Sequence, residues 1–422
     1  MSQARALSMP QIVFYGALGL PLAFAALPIY VHVPKLYADD LGLSLTVVGA
    51  ILLGARVVDA VTDPLFGWLG DHVASRLRWI VLALPLLAVG MFGLLSPPGD
   101  AGPLWLLCLL VLACAGYSMA SVNYHAWGAE MAGGPGERTR VMASREGFGL
   151  VGVVMAAALP GFLADDIAPG LQRLAWGFIP LLGIAALITL WGAPQAGASA
   201  PARERPWVAL RRALARPAFV RLLILFGLGG IAASIPASTV LFFVEDVIGR
   251  PDASGPLLAV YFVAGAAGLP VWVKLSDRLG KVGAWMVAMI VAIVAFVWAA
   301  MLGPGDLMAF GVICALSGLA LGADLALPPA ILADQLGERG GAGEGAGAGS
   351  SFGWWNLVAK ASLALAAGLA LPLLDLFGYT PGRDGEAGRL ALALVYAALP
   401  VLLKLFALGL TWHWRHQLGA KS

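Results

Sequence analysis

A chain of 422 residues that is 60% hydrophobic and only 12% charged, with a mean hydropathy of +0.86, carries more apolar surface than a water-soluble domain can bury. Its net charge of +2 is small and its basic residues are scattered through short segments, which argues against a nucleic-acid partner and leaves membrane lipid as the solvent. Cys108, Cys114 and Cys314 lie in apolar runs without CxxC or metal-ligand spacing, so they read as packing residues.

Apolar stretches long enough to cross a bilayer, bounded by Pro, Gly and charge, predict twelve spans. They run approximately over Ile12 to Val33, Leu45 to Leu69, Trp79 to Leu95, Pro103 to Met131, Val141 to Leu163, Leu174 to Gly192, Phe219 to Val244, Gly255 to Leu275, Val282 to Leu302, Leu307 to Ala333, Phe352 to Phe377 and Ala391 to Trp412. The first is expected to remain a span, because Met1 to Pro10 has one Arg and no cleavage site of small residues follows a short apolar core. An even count puts both termini on one side. With that side inside, the inner segments hold seventeen Lys and Arg against five outside, which predicts cytoplasmic termini in a plasma (bacterial inner) membrane.

The second span sets the chemistry. Arg56, Asp59 and Asp63 lie in a segment otherwise apolar from Leu45 to Leu69, where an unpaired charge costs at least about 2.5 kcal/mol. Offsets of three and four put Arg56, Asp59, Thr62 and Asp63 on one helix face. Arg56 and Asp59 could simply neutralise each other and lock helices. Two acids against one Arg point further, because carboxylates one turn apart repel when both are ionised and so favour a proton, a metal ion or another cation.

Between spans six and seven, Ala193 to Pro217 is rich in Pro, Ala and Arg and divides the chain into a six-span half over 1–193, a cytoplasmic linker over 194–217 and a second half over 218–422. An internal repeat supports the division. Gly67-Trp-Leu-Gly-Asp71 after span two recurs as Lys274-Leu-Ser-Asp277-Arg278-Leu-Gly280-Lys281 after span eight, with the acids 206 residues apart. Gly136-Glu137-Arg138 recurs as Gly337-Glu338-Arg339, 201 residues on.

These features resemble the major facilitator superfamily over the whole chain, which implies an all-α membrane fold of twelve transmembrane helices in two six-helix halves. The resemblance also implies that the loop acid, here Asp71 with its counterpart Asp277, latches helices at a helix N-terminus, where the dipole end is positive. Within that superfamily, Arg56-Val-Val-Asp59-Ala-Val-Thr-Asp63-Pro64-Leu-Phe-Gly67 looks like the signature of the glycoside-pentoside-hexuronide:cation symporters, the melibiose permease-like family. That resemblance implies a Na+, Li+ or H+ site at Asp59 and Asp63, with Thr62 and with Ser118 early in span four. The two acids would be metal ligands only if the coupling ion is Na+, and no resident cofactor is expected.

The same resemblance places the solute on spans four, five and eleven. On span four Ser121 falls where the family has an acid and His125 where it has an aromatic, with Asn123 and Trp127 alongside. Span one has no acid between Pro10 and Pro34, so both sugar-binding acids of the family are missing. Arg145 occupies the place of a substrate-contacting Arg, or it serves as partner to Glu146 or Glu130. Lys360 matches a cavity Lys, and Asp324 is the other deeply placed acid, a structural charge or gate that could pair with Lys360. Lys404 reads as a snorkelling residue. The glycine run Gly340 to Gly349 lacks the ending of a phosphate loop and reads as a hinge.

The expected function is symport, by a monomer, of a small organic solute, a sugar or glycoside-like compound, with Na+ or H+ by alternating access. The alternative is a proton-coupled exporter or an amphiphile transporter of the same fold. An enzyme is not expected, since His32, His72, His125, His413 and His416 are spread over different segments and no Ser/Lys, Ser/His or zinc-ligand spacing occurs.

Overall fold

A computed structural model describes residues 6–72, 75–164, 167–194, 205–337, 347–379 and 386–418, which form helices and connecting turns. The first span is interrupted: α1 (Met9–Gly16) ends before Ala17 and α2 (Gly19–Lys35) resumes after Leu18. Ser8 opens α1 through a capping box with Gln11, whose Oε1 accepts the Ser8 N–H at 2.9 Å. Next come α3 (Leu45–Asp71), α4 (Arg76–Leu95), α5 (Pro103–Met131), α6 (Pro135–Leu163) and α7 (Ile167–Gly192). Ser44 caps α3, its Oγ accepting the Val47 N–H at 3.3 Å. Proline stands in the first turn of both α5 and α6, where its missing N–H costs nothing.

The second part of the chain supplies α8 (Pro206–Leu214), α9 (Pro217–Phe242), α10 (Ser254–Ala299), α11 (Leu307–Gly337), α12 (Ala348–Leu376), α13 (Glu386–Ala393) and α14 (Leu399–Leu418). Among the described residues ten helical stretches are long and apolar enough to cross a membrane. One of them contains α10, which carries predicted spans eight and nine as two helical segments that meet in a kink at Gly280, whose φ of 73° and ψ of 160° are not helical. α3 is not among the ten; Arg56, Asp59 and Asp63 interrupt its apolar run. Counting α10 twice and adding α3 recovers twelve segments.

The helices group into two compact units, Met1–Ala213 with Leu336–Leu357, and Leu214–Gln335 with Val358–Ser422. The start of α12 therefore counts with the first unit and its remainder with the second. Of the expected linker, residues 195–204 lie outside the described residues and α8 takes up most of the rest. The predicted glycine hinge lies outside them over 340–346.

Each unit has its own core. In the first, Tyr15, Phe24, Tyr124, Trp127 and Phe178 are fully or almost fully buried, with Phe24 stacked on Phe178. In the second, Phe243 stacks on Tyr396 with ring centres 4.1 Å apart, and Phe310 packs against both. The outward faces are apolar too. On α3, Leu53, Val57, Val58, Val61 and Leu65 are exposed while Ala55, Asp59 and Asp63 are buried, the inverse of a helix in water and the pattern expected in lipid.

Candidate functional site

The periodicity of α3 turns Asp59 and Asp63 inward together, at 3% and 0% exposure. α5 meets them there: the Ser118 hydroxyl, itself fully buried, donates a short hydrogen bond to Asp59 Oδ1. Thr62 is one turn along, its hydroxyl donating to the Asp59 carbonyl at 3.1 Å, while Arg56 is half-buried on the same helix. Two carboxylates and a neighbouring hydroxyl form an all-oxygen set of the kind that replaces the water around a small hard cation, or that shares a proton.

Backbone contact closes this site on one side. Gly353 of α12 lies so near Pro64 and the Asp63 carbonyl that a Cβ there would meet them at 2.6 and 2.7 Å. One turn further along each helix, a Cβ on Gly67 would sit 2.0 Å from the Gly349 carbonyl oxygen. The glycine of the span-two signature thus makes room for the start of α12. Asp71 fastens that start: Oδ1 accepts the Gly349 N–H and Oδ2 accepts the Ser350 N–H and hydroxyl, all at 2.8 Å. A carboxylate at a helix N-terminus satisfies amides that have no intrahelical partner and faces the positive dipole end. Arg76 bridges the buried Asp71 at 2.7 Å and the half-buried Glu130 at 2.6 Å, holding both acids in one triad.

A second polar cluster lies on α5 and α6. His125 Nδ1 is 3.1 Å from the Ser121 carbonyl oxygen. A carbonyl can only accept, so Nδ1 carries the proton and Nε2 is the open position. Nε2 points toward Glu146 Oε1 at 3.9 Å. Glu146 is also held by Arg145 in a short ion pair, and the Arg145 guanidinium lies 5.5 Å from the centre of the Tyr124 ring. From α12, Phe352 stacks on the His125 ring, 5.2 Å between centres and 7° from parallel, and Asn356 Nδ2 donates to Ser121 Oγ at 3.4 Å.

Of the residues expected to hold solute, Ser121, His125 and Arg145 come together. Asn123 and Trp127 do not join them. Asn123 is fully buried against Gly70 and donates to the Met119 carbonyl at 2.8 Å. Trp127 is fully buried with its edge to Tyr15, and its indole N–H donates to the Pro194 carbonyl at 3.1 Å, so no ring face is open for stacking. Lys360 is half-buried in the second unit. Asp324 accepts from Lys404 and, at 2.8 Å, from the Trp285 indole; Lys404 is buried rather than snorkelling. Asp277 is exposed on α10. The sequence reading treated Glu146 only as a neighbour of Arg145 and passed over Glu130 as the partner of Arg76 and Phe352 as the cover of His125. An ionisable residue inside a span was the available signal for Glu146.

Comparison with known proteins follows the same lines. The model of a family described as MFS/sugar transport protein matches residues 13–419. The glycoside/cation symporter candidate YagG of Escherichia coli K12 is 28% identical over 163 residues, which is 37% of this chain and 35% of that protein. The isoprimeverose transporter of Lactiplantibacillus pentosus is 24% identical over 36% of this chain and 34% of that protein. The match thus spans about a third of the length of each of these two relatives. The mouse sphingosine-1-phosphate transporter MFSD2B is 24% identical over 95% of this chain and 88% of its own length. Among solved structures, the Escherichia coli fucose:proton symporter FucP superposes with a TM-score of 0.70 at 13% identity, covering 95% of this chain and 99% of that one. A bacterial homologue of the iron transporter ferroportin gives 0.72 at 15% identity, covering 97% and 100%. At such identities the superpositions speak for the fold alone.

Proposed function

Since this chain belongs to the MFS/sugar transport protein family, a family of transporters rather than enzymes, we propose that it is a secondary symporter that couples a small cation, Na+ or H+, to a small organic solute. The observation that carries the reading is the buried set of Asp59 and Asp63 on α3 with Ser118 on α5, its hydroxyl bonded to Asp59. Two acids one turn apart in a low dielectric repel. A cation between them removes the repulsion and stabilises whichever arrangement of the helices holds them closest. If that arrangement also binds solute best, each ligand raises the affinity for the other by the same factor, and symport is that reciprocity carried through alternating access. The coupling ion is cargo, and no resident cofactor is invoked. We place both termini in the cytoplasm and the protein, as a monomer, in the plasma membrane, on the bias of Lys and Arg toward one set of segments.

The solute class follows from what is near. Sugar or glycoside-like compounds are favoured by the two glycoside relatives, and by Ser121, His125 and Asn356 as partners for hydroxyls. A second reading, movement of a lipid-like amphiphile with an anionic head, is favoured by the relative that matches nearly full length and by a first span that offers no acid to a sugar.

The test is uptake into proteoliposomes of a panel of sugars, glycosides, hexuronates and lysophospholipids under an imposed Na+, Li+ or proton gradient. Gradient-driven accumulation of a glycoside or hexuronate that Asp59→Asn abolishes is the expected result. Accumulation of lysophospholipid only would move the protein to the second reading. Uptake that ignores every cation gradient would contradict the coupling.

A further inference from the structure

The Arg145, Glu146 and His125 cluster has a feature that a structural ion pair does not need. His125 spends its Nδ1 proton on the Ser121 carbonyl, so its Nε2 presents a lone pair to Glu146, whose carboxylate presents another. Two acceptors 3.9 Å apart leave room between them for one shared proton, and that proton would draw them into hydrogen-bonding distance. Phe352 covers the imidazole from the far side and fixes its plane. The Glu146 side chain keeps 16% of its surface accessible and that of Arg145 11%, so both touch a space rather than packed carbon.

Resting on the symport reading above, we propose that His125 and Glu146 form a proton site, separate from Asp59 and Asp63, whose filling releases Arg145 from Glu146 to bind an anionic solute. Charge conservation in a low dielectric gives the coupling its direction. With His125 neutral, Glu146 ionised and Arg145 charged, the cluster is neutral. A proton alone makes it positive, and an anion alone makes it negative; either is costly where water is scarce. Proton and monoanion together leave it neutral again. The proton enters from the side on which the space is open, sits on Nε2 or on the carboxylate, and leaves to the other side with the anion, so one proton accompanies one negative charge. Among the described residues the remaining groups facing the cluster are Tyr15 from α1 and Tyr117 and Tyr124 from α5, phenols that are neutral at neutral pH. Tyr15 and Tyr124 are tied to each other's backbone, the Tyr15 hydroxyl donating to the Tyr124 carbonyl at 2.8 Å and that of Tyr124 to the Tyr15 carbonyl. They hold the cluster in place without competing for the proton. The solute class is a compact organic anion that also offers hydroxyls, of which a hexuronate is the simplest example.

Infrared difference spectra of the full chain in nanodiscs, taken between about pH 8 and about pH 5, the interval in which His and raised carboxyls titrate, test the proton site without any solute. Wild type should gain a carboxylic-acid or imidazolium signal that Glu146→Gln lacks and that Asp59→Asn and Asp63→Asn keep. Persistence of the whole signal in Glu146→Gln overturns the proposal. Should Glu146→Gln fail to fold, His125→Asn must shift the midpoint of the same signal, and an unshifted midpoint counts equally against it. Glucuronate is the probe for the release of Arg145. Its affinity for wild type should rise up to tenfold per unit fall in pH, one proton being linked to one anion, and should be independent of pH in Glu146→Gln. Absence of glucuronate binding in Glu146→Gln at any pH overturns the release of Arg145 and leaves a proton site alone. If the two Asp variants abolish every pH and Na+ response while Glu146→Gln changes none, the symport reading stands and this proposal falls. If only Glu146→Gln matters, this proposal stands and coupling belongs to the cluster rather than to Asp59 and Asp63.

Discussion

The two halves repeat a clamp between a base and an acid but use the neighbouring loop acid differently. In the first half Arg76, at the start of α4, reaches Glu130 at the end of α5. In the second, Lys281, just past the Gly280 turn, reaches Asp334 near the end of α11. Base and acid recur at nearly the spacing of the sequence repeat, so the clamp belongs to the duplicated unit. Asp71 and Asp277 also correspond, yet Asp71 is buried, joins the clamp and holds the first amides of α12, whereas Asp277 is exposed. Duplication copied the clamp, while the two copies of the neighbouring acid differ in burial. The difference shows that a repeated ion pair does not carry the burial of its neighbouring acid with it.

The largest effect should come from Arg76, which pairs with the buried Asp71 and the half-buried Glu130, more than from Lys281, which pairs with Asp334. Arg76→Ala should destabilise the folded protein by about 3–5 kcal/mol, because it strands buried charge, and Lys281→Ala by less. Denaturant or thermal unfolding in detergent measures both, and equal losses would mean that Asp71 draws nothing from the clamp.

Next are the loop acids. Asp71→Asn keeps the shape but loses charge-assisted bonds to two amides and a guanidinium, for an expected cost of about 1.5–3 kcal/mol, with faster amide exchange at Gly349 and Ser350. Asp277→Asn should stay within about 0.5 kcal/mol of wild type. Matching losses would remove the asymmetry.

The glycines beside the two acids give a finer contrast. Gly67 is required for space and Gly280 for its positive φ, since nothing lies within 4 Å of a Cβ on Gly280. Gly67→Ala should cost about 1–3 kcal/mol through overpacking, and Gly280→Ala about 1–3 kcal/mol because φ 73° with ψ 160° is a backbone region open essentially to glycine alone. Asn is tolerated in the αL region but not at ψ 160°, so Gly280→Asn should be no better than Gly280→Ala, while Gly67→Asn should be worse than Gly67→Ala. A Gly280→Asn variant as stable as wild type, or a Gly67→Asn variant no worse than Gly67→Ala, would show that one of these causes is misassigned.

Much of this was open to a reader of the sequence. The period of α3 was enough to turn Asp59 and Asp63 to one side, because in lipid a buried polar face among exposed Leu and Val has one interpretation. α5 defeated the same method. From Ser118 to Ala129 it is buried on every side, so Asn123 and Trp127 carry polar groups into packing and backbone bonds, and no period separates them from Ser121 and His125. The join of α8 to α12, through the Trp354 indole N–H donating to the Leu210 carbonyl at 3.3 Å, and the hold of Asp71 on α12, span distances in the chain over which no local pattern acts. The break between spans eight and nine was marked by Gly280, but not that so short a kink would make it.

The central claim, a coupling cation held by Asp59 and Asp63, is tested most directly by the thermal stability of the purified protein against Na+, Li+ and pH, in wild type, Asp59→Asn and Asp63→Asn. A ligand that binds only the folded state stabilises it by about 2.7 kcal/mol at a hundredfold excess over its Kd. The account predicts a rise in Tm with Na+ or with protons that both substitutions remove. A Tm indifferent to all three ions in wild type, or a response that survives in both variants, would contradict it and leave Arg56, Asp59 and Asp63 as charges that lock helices together.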